Sequence, residues 1–183
     1  ELANLPVTHE NIGNAQGMAG YSPSRDTVIF NTNTNVAMLD GMGWTPLEAL
    51  IHETQHAIQA REGFAKGGSP RSVAKYKREQ LRHRAEQISE YQQLPTQQAK
   101  DAFVEEMFLN TTPEHTMKSA SEKAYSELVG EQEAFEVMER MELNNEERRQ
   151  QMPKRAENPL IVLQDGTVLD GPVLPPYDGS TMQ

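Results

Sequence analysis

Along the 183 residues, hydrophobic and polar positions change rhythm several times. Residues 1 to 19 are polar and turn-rich. The stretch GYSPSRDTVIFN that follows sets Thr27, Val28, Ile29 and Phe30 in a row, and this β-branched and aromatic content predicts one short strand. Ser-Pro-Ser before it and the Asn and Thr run at 31–35 after it are turn and loop chemistry, because their side chains compete for backbone hydrogen bonds. Any sheet is therefore small.

A helix start follows at Thr45-Pro46-Leu47-Glu48: Thr caps, Pro suits the first helical position, and Glu three residues after Thr completes a capping box. The helix runs to about Glu62, where Gly63 supplies the left-handed residue that ends it. Leu47, Leu50, Ile51, Thr54 and Ile58 recur at three- and four-residue spacing and predict one buried stripe. After Gly67-Gly68-Ser69-Pro70 a strongly charged helix is expected over about Ser72 to Gln92, with His83 on a solvated face. A third helix spans about Thr96 to Leu109, and a fourth runs from near Pro113 to about Leu143. From Pro153 the composition turns to Pro and Gly. Its single apolar stretch, LIVLQDGTVLDG, carries a hairpin signal at Asp165-Gly166. The division expected is a main domain over 1–152 and a C-terminal appendage or linker over 153–183.

Composition narrows the function. Acids outnumber bases by 27 to 17, for a net charge of -10, and this argues against a nucleic-acid backbone as partner and for a protein or peptide. No cysteine is present, so neither disulfide nor thiolate chemistry enters, which fits a cytoplasmic setting. Mean hydropathy is -0.71, and no run of about 18 apolar residues marks a membrane span. The chain opens on Glu1 with neither a basic start nor a hydrophobic stretch, as expected of a domain excised from something longer.

His52-Glu53-Thr54-Gln55-His56 is an HExxH pattern inside the helix, whose start and stop signals are independent of it. Four residues apart, His52 and His56 project about 40° apart and one turn along the axis, so both imidazoles can reach one ion. Glu53 falls beside them, where its carboxylate can take a proton from water without being a ligand itself. Zinc held by two histidines needs a third protein ligand and an open position. In the fourth helix Ala124, Leu128, Phe135 and Met138 share a face with Glu131 at its middle, whereas Glu133 lies about 160° around, with Glu136 and Arg140, on the solvated side. An acid on a buried face usually pairs with an Arg or Lys, but the HExxH helix otherwise lacks its third ligand, and Glu131 is thus the candidate for it. Gly130 suggests close approach of another segment, and Glu127 is a candidate partner for a histidine. Tyr125 and His115 are candidate donors to the oxyanion that amide hydrolysis develops.

These residues resemble the zincin-like metallopeptidase domain of large polyvalent proteins encoded by phages and conjugative elements. The matching stretches are LEALIHETQHAIQAREGFAKGGSP at 47–70 and AYSELVGEQEAFEVMERMELNNEERR at 124–149. The first extends HExxH in the family's manner. The second departs from it in carrying Phe135 where the family has Arg. The resemblance implies a gluzincin arrangement, with His52, His56 and Glu131 on zinc and Glu53 catalytic, and a domain that enters a host cell with phage or element DNA or acts on neighbouring domains or host proteins.

The expectation is an α+β, mainly helical zincin-like fold whose strand at Thr27 to Phe30 lies above the metal cleft and pairs with an extended substrate. Its activity is zinc-dependent peptide hydrolysis, with Glu53 and Tyr125 as catalytic residues and His52, His56 and Glu131 as metal ligands. The alternative is a non-catalytic module in which zinc pins two helices and a fourth protein ligand, such as Glu127 or His115, closes the site.

Overall fold

The computed structural model describes residues 4–12, 18–33, 44–153 and 158–169, and all structural statements concern these. It is an α+β arrangement in which helices dominate. Strands β1 (Val7–Glu10), β2 (Ala19–Ser22) and β3 (Thr27–Asn31) precede helices α1 (Pro46–Glu62), α2 (Pro70–Ala85), α3 (Ser89–Gln92), α4 (Gln97–Leu109), α5 (Met117–Glu127), α6 (Val129–Glu139) and α7 (Asn145–Gln150). A two-stranded hairpin, β4 (Ile161–Val162) and β5 (Val168–Leu169), follows.

The predicted strand is β3, but it lies at the centre of the sheet. β1 pairs with it in parallel and β2 antiparallel. Its backbone is occupied on both sides, so it cannot take a substrate strand. The strand beside the cleft is β2, which has too little β-branched or aromatic content to stand out from its sequence.

Helix α1 has the predicted ends. Thr45 and Glu48 form the reciprocal capping box, Pro46 opens the helix, and Gly63 closes it at φ 69°. The predicted buried stripe is not its buried face: Leu47 is 56% exposed, and Leu50, Ile51, Thr54 and Ile58 are half-buried. The buried positions are Ala49, His52, Glu53, Ala57 and Gln59. The physical reason is that α1 packs against both the sheet and α6. Alanines let those neighbours approach, and the polar side chains between them find partners there rather than in water.

The charged segment forms α2, which ends at Ala85, and the short α3 carries it to Gln92. Its His83 is half-buried, and Val73, Ala74, Leu81 and Ala85 on the same helix belong to the hydrophobic core with Val104 and Phe108 of α4 and Ala120 and Ala124 of α5. The expected fourth helix is broken. Leu128, at φ -68° and ψ 117°, leaves the helical conformation between α5 and α6. Leu160 accounts for the break, since its N–H donates to the Glu127 carbonyl and its own carbonyl accepts from Val129. The hairpin predicted at Asp165-Gly166 is present, with Gly166 at φ 90° in its turn. It does not hang free: Leu160, Val162 and Val168 are part of the same core as α2, α4 and α5, and the Val162 carbonyl accepts from Lys66 N–H at 2.6 Å. No helix among the described residues is long and apolar enough to cross a membrane.

Candidate metal centre

His52 and His56 leave α1 on the side that meets α6, one turn apart, and Glu131 meets them from the first turn of α6. His52 Nε2 lies 3.1 Å from His56 Nε2 and 3.4 Å from Glu131 Oε2, and His56 Nε2 lies 3.3 Å from Glu131 Oε1. Three ligand atoms about 2.0–2.1 Å from one ion in tetrahedral array would be separated by roughly 3.3 Å, so these spacings fit a shared ion. His52 is 3% exposed and Glu131 2%, and no Lys or Arg pairs with this carboxylate among the described residues. The bland account of an acid on an apolar face, a fixed cation beside it, does not apply. The buried His52, His56 and Glu131 group can hold a metal ion.

Electrostatics agree with the geometry. Burial alone pushes the Glu131 carboxyl up, but hydrogen bonds from His52, His56 and Tyr125 outweigh it and hold the group well below the usual carboxylate range. Burial works against a charged His56, yet Glu131 and Glu53 overcome it and push this imidazole up to about 9. A metal ion binds there only when both imidazoles are neutral, because a ligating nitrogen must offer its lone pair.

Several neighbours fix the ligands. Tyr125 donates its hydroxyl to Glu131 Oε2 at 2.5 Å, and Gly68 N–H donates to Glu131 Oε1 at 2.7 Å. Burial first, and then the Glu131 charge, push the Tyr125 hydroxyl well above its ordinary value, so it stays a donor. The Gly67 backbone lies so close that a Cβ there would stand 2.5 Å from His56 Cε1 and 2.7 Å from Glu131 Oε1. The His52 ring is gripped by aromatic contacts, with its centroid 5.2 Å from Trp44 and 4.9 Å from Phe135. Phe135 therefore forms part of the wall behind a ligand.

Glu53 points from α1 towards the sheet and is 8% exposed. Its Oε2 accepts from the Tyr21 N–H of β2 at 2.7 Å. Burial raises its affinity for a proton, the neighbouring histidines oppose that, and the net direction is upward. The strand carrying Tyr21 is itself anchored, since Tyr21 donates its hydroxyl to Asp26, and Asp26 pairs with Arg61 of α1 at 2.8 Å. His52, Glu53, His56, Tyr125 and Glu131 all line one cleft of about 500 Å3, with Ala19, Gly20 and Tyr21 of β2 on one wall and Gly67 to Pro70 contributing another.

The other sequence candidates lie elsewhere. Glu127 is spent on Lys77, 2.7 Å away and also buried, and it does not reach a histidine. His115 is exposed in the α4–α5 connection, at φ 49°, and does not line the cleft. Glu133 is not solvated as predicted: it is half-buried and accepts from Gln59 Nε2 at 2.8 Å, because α6 starts afresh after Leu128 and presents this side to α1. Gln59 itself was missed. Its signal was its place three residues beyond His56, on the same side of the helix. Compared with known proteins, the chain matches no family model, no curated protein and no solved structure, so the reading of this centre comes from its own residues.

Proposed function

We propose that the chain is a zinc-dependent peptidase in which His52, His56 and Glu131 hold the metal and Glu53 is the general base. The observation that carries this reading is the placement of Glu53, a buried carboxylate that is not one of the three converging ligand groups, lines the same cleft and is aimed by a backbone N–H. Two imidazoles and one carboxylate are a ligand set that suits zinc and leave a position open. Zinc in this setting supplies Lewis acidity, which makes water a nucleophile near neutral pH and polarises a carbonyl.

The protein's own groups do the rest. Glu53 takes the proton from the attacking water and passes it to the leaving amine, and its hydrogen bond to Tyr21 keeps the accepting oxygen in register with the cleft. Tyr125 acts on Glu131: its hydroxyl holds one carboxylate oxygen, so its part is to position a ligand. Substrate is held by β2. In its antiparallel pairing with β3 the peptide groups of Gly20 and Ser22 face β3, and those of Ala19 and Tyr21 face away. Tyr21 N–H is taken by Glu53, so the Ala19 N–H and the Ala19 and Tyr21 carbonyls can pair with an extended peptide.

The non-catalytic alternative needs a fourth protein ligand. Among the described residues the converging group has three members, and both residues suggested for the fourth place lie elsewhere. The family resemblance extends the proposal to a domain of a larger phage or mobile-element protein that meets protein substrates inside a host cell. The test is Glu53→Gln, which keeps zinc and loses turnover of a quenched-fluorescence peptide library. A variant that retains turnover overturns the mechanism.

A further inference from the structure

Gln59 is a glutamine on a helix, 1% exposed, with every polar atom of its side chain engaged. Its Oε1 lies 2.9 Å from His56 Nδ1, and its Nε2 donates to the Gly130 carbonyl at 2.9 Å and to Glu133 Oε2 at 2.8 Å. The orientation of the amide is not free. Both partners of the nitrogen are pure acceptors, so the –NH2 must face them and the carbonyl oxygen must face the imidazole. That oxygen can only accept, and His56 Nδ1 must therefore carry a hydrogen. A neutral His56 so bonded has its lone pair on Nε2, the atom that faces His52 and Glu131.

The nitrogen's two partners flank Glu131 in sequence, one residue before it and two after. The same side chain that sets the tautomer of one ligand thus grips the helical turn that delivers another, across a separation of 71 residues. We infer that Gln59 is a positioning residue of the metal centre, one that selects Nε2 of His56 as the ligating atom and fixes the distance between the histidine helix and the Glu131 turn. This rests on the metal-binding reading and assigns Gln59 no contact with substrate. Outer partners of this kind are worth about 10–100-fold in metal affinity.

The experiment compares zinc affinity, by competition with a chromophoric chelator, in wild type and Gln59→Leu. Far-UV circular dichroism establishes that each is folded. Gln59→Leu keeps the buried volume and removes all three bonds, and its affinity falls by about 10–100-fold. Long-range 1H–15N spectra of the zinc-loaded wild type show a protonated Nδ1 and a coordinated Nε2 for His56. Folded Gln59→Leu with wild-type affinity overturns the inference while leaving the metal site standing. Coordination through Nδ1 does the same. Wild type that takes up no zinc overturns the metal-binding reading itself, and the inference with it.

Discussion

Gly130 opens α6 where the chain 66–68 passes over it, and replacing it by Ala sets two effects of opposite sign against each other. Helix propensity favours Ala by about 1 kcal/mol. Against this, a Cβ at 130 would lie 2.5 Å from the Lys66 carbonyl oxygen, 2.6 Å from its carbon and 2.9 Å from Gly67 N. A carbon and an oxygen settle no closer than about 3.3 Å, so the backbone must retreat by roughly 0.8 Å. Overpacking of this kind costs about 1–3 kcal/mol. The retreating segment is tethered by Lys66 N–H on the Val162 carbonyl at 2.6 Å and by Gly68 N–H on Glu131 at 2.7 Å. Loosening these bonds adds about 1 kcal/mol each. The clash wins, and Gly130→Ala loses on the order of 2–4 kcal/mol, which at about 2–4 °C per kcal/mol lowers Tm by roughly 4–16 °C. Urea unfolding followed by circular dichroism with excess chelator isolates the packing effect from metal binding. A Gly130→Ala chain as stable as wild type, or more so, refutes the argument, because propensity would then have prevailed.

Further expectations concern the metal, the core and acid stability. Zinc at 100 times its dissociation constant stabilises the chain by about 2.7 kcal/mol, so chelation lowers Tm, and His56→Ala abolishes the difference between the two conditions in a thermal scan. Leu160 is fully buried, and Leu160→Ala costs about 2–5 kcal/mol in urea unfolding; a surface-like loss below about 0.5 kcal/mol would remove the hairpin from the core. Arg78 lies 2.6 Å from Glu105 and holds its carboxyl below the usual value, a shift that burial partly opposes. A depressed folded-state pKa means that the pair's contribution is present above the unfolded value and is lost as pH falls through the folded one. Because Glu105 is more than a third exposed, the contribution is at most about 1 kcal/mol; the stability gap between wild type and Glu105→Gln should be present at pH 7 and close on acidification below the ordinary carboxylate range.

What could be read in advance was what is written locally. The ends of α1 are specified within a few residues by Thr45, Pro46, Glu48 and Gly63, and HExxH is a single helical turn, so both were visible without a tertiary structure. Glu131 was found because an acid interrupting an apolar face is a local anomaly. The break at Leu128 was invisible for the opposite reason, since its cause is a backbone pairing with Leu160 more than 30 residues on. The buried face of α1 was misread because periodicity weighs hydrophobicity, and here the inward side is given to the centre's polar groups and to alanines. Strand β2 was missed because Ala19, Gly20 and Ser22 have weak strand preference and its place depends on β3 and on the Asp26–Arg61 anchor. The misplacement of Glu133 and the omission of Gln59 share one origin: each is explained by a partner on the other helix.

The bend between α5 and α6 has a geometric consequence for the metal ligands. In an unbroken helix Tyr125 and Glu131, six residues apart, would project about 120° apart and be separated by about 9 Å along the axis, out of each other's reach. The elbow at Leu128 folds the two residues together until phenol meets carboxylate. It is splinted by the two backbone hydrogen bonds to Leu160, which begins the hairpin. A shortened chain ending at residue 152 would keep every ligand and the whole HExxH helix, yet it would lose the splint. The two helices could then straighten into one, carrying Glu131 away from Tyr125, so the hairpin acts as a remote brace for ligand geometry although neither of its strands bears a ligand.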